Sequence, residues 1–271
     1  MILVNGNQIA KEKFLKIEEK IKSSSLSLAV VQVGEDEVSK VYINAKKREL
    51  EKRGILVSLY KIEEKVTTEE VKEKIKTLKE DGIIVQLPLP GGVDKEDVLS
   101  SIPEEKDVDV LSPSSCGLFY KGTLKTTPPV VGAVKTILEE NDVSLLGKTV
   151  LLIGSGDLVG KPLSLFLMKE KATFSVVDEN TKDINFFIQN ADIIISGAGV
   201  PDLIKGDMIK KDTVVIDAGT SVVSGEVKGD VEREGLKLKT GLFSPVPGGV
   251  GPLTIYFLAE NLLKLKNNEH R

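Results

Sequence analysis

Gly147-Lys-Thr-Val-Leu-Leu-Ile-Gly-Ser-Gly-Asp-Leu-Val-Gly160 reads as a buried strand that runs straight into a glycine-rich turn and a helix. Gly154, Gly156 and Gly160 stand in a G-x-G-x-x-x-G arrangement, slightly longer than the common G-x-G-x-x-G. Bare backbone at a helix N-terminus offers N–H groups to a pyrophosphate. The next strand ends in Asp178, about where the acidic ribose partner of a dinucleotide belongs. A tight turn without a ligand accounts for the glycines alone; the acid that follows them puts a dinucleotide site first.

Outward from this stretch the same rhythm recurs. Short aliphatic or β-branched runs at 28–33, 56–60, 82–87, 149–153, 173–177, 192–195 and 213–217 read as strands buried on both faces. Helix-like segments at 41–53, 68–79, 130–140, 159–171 and 184–190 lie between them. This is the βαβ order of a parallel α/β fold. Gly54 after Lys52-Arg53 is a stop signal, and Thr67-Thr68 before Glu69-Glu70 is a start signal. From Lys106 to Thr127 the rhythm breaks, with Ser112-Pro-Ser-Ser-Cys-Gly117 and Thr126-Thr-Pro-Pro129 reading as loops, so a domain junction is expected near here.

At 271 residues and 41% hydrophobic, the chain can bury a substantial core, and its length favours two domains. A formal charge of -4, with Lys and Glu interleaved along the helices, argues against a nucleic-acid binder and for small-molecule partners. No basic leader or membrane-length apolar run is present, so a cytoplasmic protein is expected. Cys116 is the only cysteine, which excludes an intrachain disulfide and a cysteine-based zinc site; it reads as a loop bystander. The only histidine, His270, lies in a polar tail. Histidine triads, Cys-His dyads and His-ligated metals are therefore set aside, and carboxylates, lysine, tyrosine and a cofactor must supply any chemistry.

Ser244-Pro-Val-Pro-Gly-Gly-Val-Gly-Pro-Leu-Thr254 holds three prolines and three glycines and almost nothing that ionises. It offers a ligand a rigid backbone wall, and Pro252 sits where the first residue of an apolar helix, 253–265, should. In the first half, Tyr42 and Lys46 share a helix face with Ser39 one turn earlier. Gln86 interrupts the apolar run Gly82-Ile-Ile-Val-Gln-Leu-Pro-Leu-Pro90 near a strand's carboxyl end, where a buried amide needs partners or a purpose. Asp107 and Asp109 alternate in the loop Lys106-Asp-Val-Asp-Val110.

Together, Val33-Gly34 with Ser39, Tyr42 and Lys46, then Val85-Gln-Leu-Pro-Leu-Pro90, Lys106-Asp-Val-Asp109, the glycine loop, and Pro245 through Thr254 resemble the bifunctional methylenetetrahydrofolate dehydrogenase/cyclohydrolase family, often called FolD. The resemblance runs over nearly the whole chain in the same order. Short-chain dehydrogenases, which also carry Tyr-x-x-x-Lys, place the glycine loop before that pair. The resemblance implies oxidation of 5,10-methylenetetrahydrofolate to the methenyl form with NADP or NAD, then hydrolysis to 10-formyltetrahydrofolate, in one-carbon metabolism and without a metal. It implies an N-terminal α/β folate domain, 1–120 with 252–271, and a Rossmann-like dinucleotide domain, 121–251, with a cleft between them and two chains pairing through the nucleotide domains. Lys46 would be the principal catalytic residue, Gln86 would orient its amine, Tyr42 would pack on the folate, and Asp109 would hold the pterin. Pro247, Gly248, Gly249, Val250, Gly251 and Pro252 would line the folate cleft opposite Lys46. Gly154, Ser155, Gly156, Gly160, Asp178, Glu179 and Thr220 would hold the cofactor.

Some positions depart from the family pattern. Ser155-Gly156 and Asp178-Glu-Asn-Thr181 stand where Arg-Ser and His-Ser-x-Thr usually meet the 2′-phosphate of NADP. A carboxylate about 4 Å from a phosphate charge repels it by roughly 4 kcal/mol at an effective dielectric near 20. NAD is therefore expected to be used as well as NADP, or better. Val110 replaces a glycine, and Pro128-Pro-Val-Val-Gly-Ala133 replaces a Pro-Cys-Thr-Pro-x-Gly segment, which leaves Asp107 open as an alternative to Asp109. A dehydrogenase with little cyclohydrolase activity and a non-catalytic dinucleotide-binding regulator are the competing readings. Abundant Lys and Glu suit a thermophilic source.

Overall fold

The computed structural model describes residues 1–233, 235–236 and 240–268, without the side chains of Glu37 and Val38. His270 lies outside the described residues. In chain order the elements are β1 (Ile2–Leu3), α1 (Gly6–Ser24), β2 (Ser27–Val33), α2 (Glu37–Glu51), β3 (Leu56–Ile62), α3 (Thr68–Thr77), β4 (Gly82–Val85) and α4 (Lys95–Ser100). A 3-10 turn at Glu104–Lys106 precedes α5 (Pro113–Lys121), α6 (Pro129–Glu140), β5 (Thr149–Ile153), α7 (Gly160–Lys169), β6 (Thr173–Val177) and α8 (Ile184–Asn190). The chain then forms β7 (Ile193–Ser196), β8 (Thr213–Asp217), β9 (Ser221–Val223), β10 (Glu226–Lys228), β11 (Thr240–Ser244) and α9 (Val250–Lys266).

Two compact units result, one from Glu12–Pro129 with Ile255–Arg271, the other from Met1–Lys11 with Val130–Thr254. The sequence reading puts residues 1–11 with the first domain. In the structure they lie with the second, because Ile2 and Leu3 pair in parallel with Leu242 and Phe243 of β11.

The first unit is built on a parallel three-stranded sheet of order β3-β2-β4. Strand alternation sends Leu28, Val30 and Ile84 to one face, where they meet Ile43 and Leu50 of α2, Ile21 of α1 and Leu258 and Leu262 of α9. Ala29, Val31, Ile83 and Val85 face the other way, onto Val71 and Ile75 of α3 and Val98 and Leu99 of α4. Each such side chain, fully buried, stabilises the fold by about 1.5–3 kcal/mol, so two apolar layers hold a sheet too small to stand alone. α3 starts as expected, with a capping box between Thr67 and Glu70. Asn261 of α9 closes the unit: it donates to Val108 O (2.9 Å) and Thr127 O (2.7 Å) and accepts from Thr127 N (3.0 Å).

The second unit is a parallel six-stranded sheet of order β1-β11-β8-β7-β5-β6. The chain leaves β5 for β6 on one side and crosses back to β7 on the other, so the strand order reverses at the carboxyl ends of β5 and β7. In doubly wound sheets that reversal is where ligands bind.

Several expectations need correction. Strands β3 and β6 lie at sheet edges and are not buried on both faces; Leu56, Thr173 and Val176 are exposed. Ser112 to Gly117 is not a loop: Ser112 caps α5 through the N–H of Ser115, Pro113 takes the first turn, and exposed Cys116 sits on that helix with its Sγ against Val110 O. α9 begins at Val250, two residues before Pro252, which still falls in the first turn, where no intrahelical N–H bond is lost.

Candidate functional site

In the first unit, Asp36 caps α2 by accepting from Ser39 N at 2.6 Å. The helix then presents Tyr42 and Lys46 one turn apart, both half-buried. β4 ends at Val85, and Gln86 follows it at once, its N–H donating to Val31 O to continue the sheet ladder. Lys46 Nζ donates to Gln86 Oε1 at 3.2 Å, while Gln86 Nε2 donates to Leu87 O at 2.8 Å. The backbone bond fixes the amide's orientation, so its oxygen must face the amine.

Burial pushes the Lys46 amine below its usual range, and the negative charge of Asp109 pulls it part of the way back. Asp109 is itself held above the usual carboxylate range by burial, against the pull of Lys46 and with a further push from Asp107. The two acids of this loop divide their work. Asp107 is buried and accepts from Leu111 N (3.1 Å) and Ser112 N (2.7 Å), so it shapes the turn into α5. Asp109 is the acid coupled to Lys46. Between them and α5, Val110 adopts φ 59, the left-handed region that glycine enters without strain. Its buried side chain holds it there, so the turn keeps a glycine-like course without a glycine.

In the second unit the glycine loop joins β5 to α7. Gly154 has φ 99, and a Cβ there would lie 2.7 Å from Gly197 O; a Cβ on Gly160 would collide with Gly154 O. The loop is thus pressed against the end of β7 and the start of α7, while Gly156 faces open space. Asp178 directly follows β6, accepts from Asn180 N at 3.0 Å, and lies 3.3 Å from the donating Ser155 Oγ. Glu179 is exposed, and Thr220 lies just beyond β8, its hydroxyl donating to Gly219 O. Open backbone at a helix N-terminus, with a carboxylate at the end of the neighbouring strand, fits a dinucleotide. The Pro/Gly segment begins at the end of β11 and is tied to the N-terminus by a bond from Gly6 N to Gly248 O (2.8 Å).

Residues 4–109 match the model of the tetrahydrofolate dehydrogenase/cyclohydrolase catalytic domain, and residues 127–270 match that of the NAD(P)-binding domain. The chain belongs to the tetrahydrofolate dehydrogenase/cyclohydrolase family. Among curated relatives, bifunctional protein FolD of Hydrogenobaculum sp. is 39% identical over 272 residues, covering 97% of this chain and 98% of its own. That of Aquifex aeolicus is 38% identical over 277 residues, covering 97% and 94%. The crystal structure of bifunctional FolD from Campylobacter jejuni matches with TM-score 0.90 and 35% identity over 99% of each chain. FolD of Trypanosoma brucei, complexed with NADP cofactor and inhibitor, matches with TM-score 0.91 and 29% identity over 98% of this chain and 97% of its own.

Other polar groups of this FolD-family chain escape a reading of the sequence. Asp217, the last residue of β8, accepts from Gly219 N, Asp230 N and Val231 N. Asp230 accepts from Ser196 Oγ (2.6 Å), Ala198 N (2.8 Å) and Val200 N (2.9 Å). Both acids are buried, and together they tie the loops after β7 and β8 beside the glycine loop. Gln32 of β2 is buried as well, and its Nε2 has no hydrogen-bond partner among the described residues. It breaks an apolar strand as Gln86 does, and that same signal picks it out. Among the described residues no group of three or more His, Cys, Asp or Glu could hold a metal ion, and no helix is long and apolar enough to cross a membrane.

Proposed function

We propose that the protein oxidises 5,10-methylenetetrahydrofolate to 5,10-methenyltetrahydrofolate and hydrolyses that product to 10-formyltetrahydrofolate. The observation that carries this reading is the Lys46 amine, its proton affinity lowered by burial and its position set by Gln86 Oε1, in a chain that matches both domains of the family. NAD(P), when bound, supplies the hydride acceptor for the first step. Gly154, Ser155, Gly156 and Gly160 would hold its pyrophosphate, Asp178 and Glu179 would face its ribose side, and Thr220 would join them in binding it.

In the second step the neutral Lys46 amine takes a proton from water as the oxygen bonds to the methenyl carbon and the C=N π pair moves to nitrogen. The resulting ammonium returns a proton to the ring nitrogen as its bond to that carbon breaks, and one proton is released overall. Gln86 holds the amine in place through both transfers. Tyr42 packs on the aromatic middle of the folate, and Asp109 accepts from the pterin amino and N–H groups while keeping Lys46 from losing its proton too readily. The Pro247 to Pro252 backbone gives the substrate a rigid wall.

Asp178 beside Ser155 supports NAD as an acceptor alongside or ahead of NADP, since a 2′-phosphate there meets a carboxylate. The exposed edge strand β6, with Val176 in solvent, and the exposed Phe186 of α8 support pairing of two chains through their nucleotide units.

Reduced-nicotinamide absorbance with 5,10-methylenetetrahydrofolate, run with NAD and NADP in parallel while methenyl decay is followed separately, tests the reading. Turnover with accelerated decay is the expected result; nucleotide binding without turnover would replace it with a regulatory role. An NADP efficiency far above that for NAD would refute the part assigned to Asp178. Lys46→Met is expected to abolish hydrolysis and leave the thermal midpoint and nucleotide binding intact; unchanged hydrolysis removes Lys46 from the mechanism.

A further inference from the structure

The strand Leu28-Ala-Val-Val-Gln-Val33 is apolar but for Gln32, as the run entering Gln86 is apolar but for that residue. β2 and β4 pair in parallel, with Val31 opposite Val85. The bond from Gln86 N to Val31 O carries the ladder onward, which sets Gln32 beside Gln86. Alternation places both glutamines on the face that holds Leu28, Val30 and Ile84. That face is covered by Ile43 and Leu50 of α2, which lie about one turn on either side of Lys46 on the same helix stripe. Gln32 is 3% exposed, and its buried Nε2 lacks a partner among the described residues.

An amide donor buried without a partner is destabilising, and a leucine would fill the same strand position without that cost. An ammonium is also a donor, so Gln32 Nε2 and a protonated Lys46 cannot satisfy one another. With the amine neutral, one water can partner both groups, accepting from the amide and giving its own O–H to the amine.

We propose that Gln32 is a positioning residue for the hydrolytic step, its Nε2–H donating to the oxygen of the water that Lys46 deprotonates. The oxygen stays bonded to Gln32 as it joins the methenyl carbon, the C=N π pair passes to nitrogen, and the water proton goes to Lys46. Gln32 thereby aims an oxygen lone pair at the carbon while Lys46 takes the proton from the same molecule. The inference rests on the hydrolytic activity proposed above.

Hydrolysis of the methenyl form and nicotinamide reduction by the full chain, each measured across pH for wild type, Gln32→Met and Gln32→Glu, test it. In Gln32→Met the ratio of hydrolytic to dehydrogenase kcat is expected to fall about tenfold or more, with a thermal midpoint at or above wild type. In Gln32→Glu the hydrolytic pH profile is expected to move upward, because a second carboxylate joins Asp109 in holding the proton on Lys46. A kcat ratio within about twofold of wild type in Gln32→Met, including the case where both rates fall together, overturns the proposal. So does an unmoved profile in Gln32→Glu, which also decides the matter should Gln32→Met not fold. Wild-type protein that shows no hydrolysis removes the functional reading itself, a failure visible before any variant is made.

Discussion

In the hydrolysis proposed above, the chemistry of the first unit would turn on how one amine holds its proton. Burial lowers the proton affinity of Lys46 and Asp109 raises it, so the two would set the pH range in which the amine serves as the proposed base. Asp109→Asn removes the opposing charge and is expected to move the acidic limb of the hydrolytic kcat profile to lower pH; a limb that stays put would separate Asp109 from the amine. The Tyr42–Lys46 spacing and the lone Gln86 were legible because a helix face and a polar break in an apolar strand are local patterns. Which of Asp107 and Asp109 is taken up by backbone N–H groups was not, since that depends on the folded turn, where Leu111 N and Ser112 N meet Asp107. Asp217 and Asp230 stayed hidden for the same reason: their partners are backbone N–H groups gathered from several loops.

At the level of elements, the glycine loop is held by close approach, and its glycines are not interchangeable. Gly160 has no room for a Cβ against Gly154 O, whereas Gly156 faces open space. Gly160→Ala is expected to lower stability by about 1–3 kcal/mol and to weaken dinucleotide binding, while Gly156→Ala leaves the thermal midpoint near wild type. Calorimetry and nucleotide titration of the two variants check this, and equal losses would contradict it. Elements with a clear apolar pattern, such as β5, α6 and α8, were readable almost to the residue. α5 was not, because its first turn is written in serines and a proline that signal a loop as readily as a helix cap. β1 is two residues long, and its existence depends on β11 lying beside it.

Over the whole molecule, stability carries the signature of one acid. Burial and the neighbouring Asp230 push Asp217 up to about 7, overcoming the backbone N–H groups that favour its charged form. In the unfolded chain the same carboxyl titrates near 3.8, so between that value and about 7 the native state holds a proton that the unfolded state has lost. This contribution is therefore full below the unfolded value and drains away as pH rises toward 7, at about 1.4 kcal/mol per unit as a ceiling. Wild type is expected to lose thermal midpoint as pH rises from about 4 to about 7, and Asp217→Asn to flatten that fall; parallel curves would exclude Asp217 as its source. The two-unit plan of the chain also reaches beyond equilibrium. The nucleotide sheet takes its edge strand from residues 2–3, and the lysine unit takes its closing helix, with Asn261, from residues after 254. On the ribosome, then, the lysine unit emerges early but stays open along the face that α9 covers until residues 250–266 have followed. Neither half can be cut out at a single break and expected to stand as a finished module.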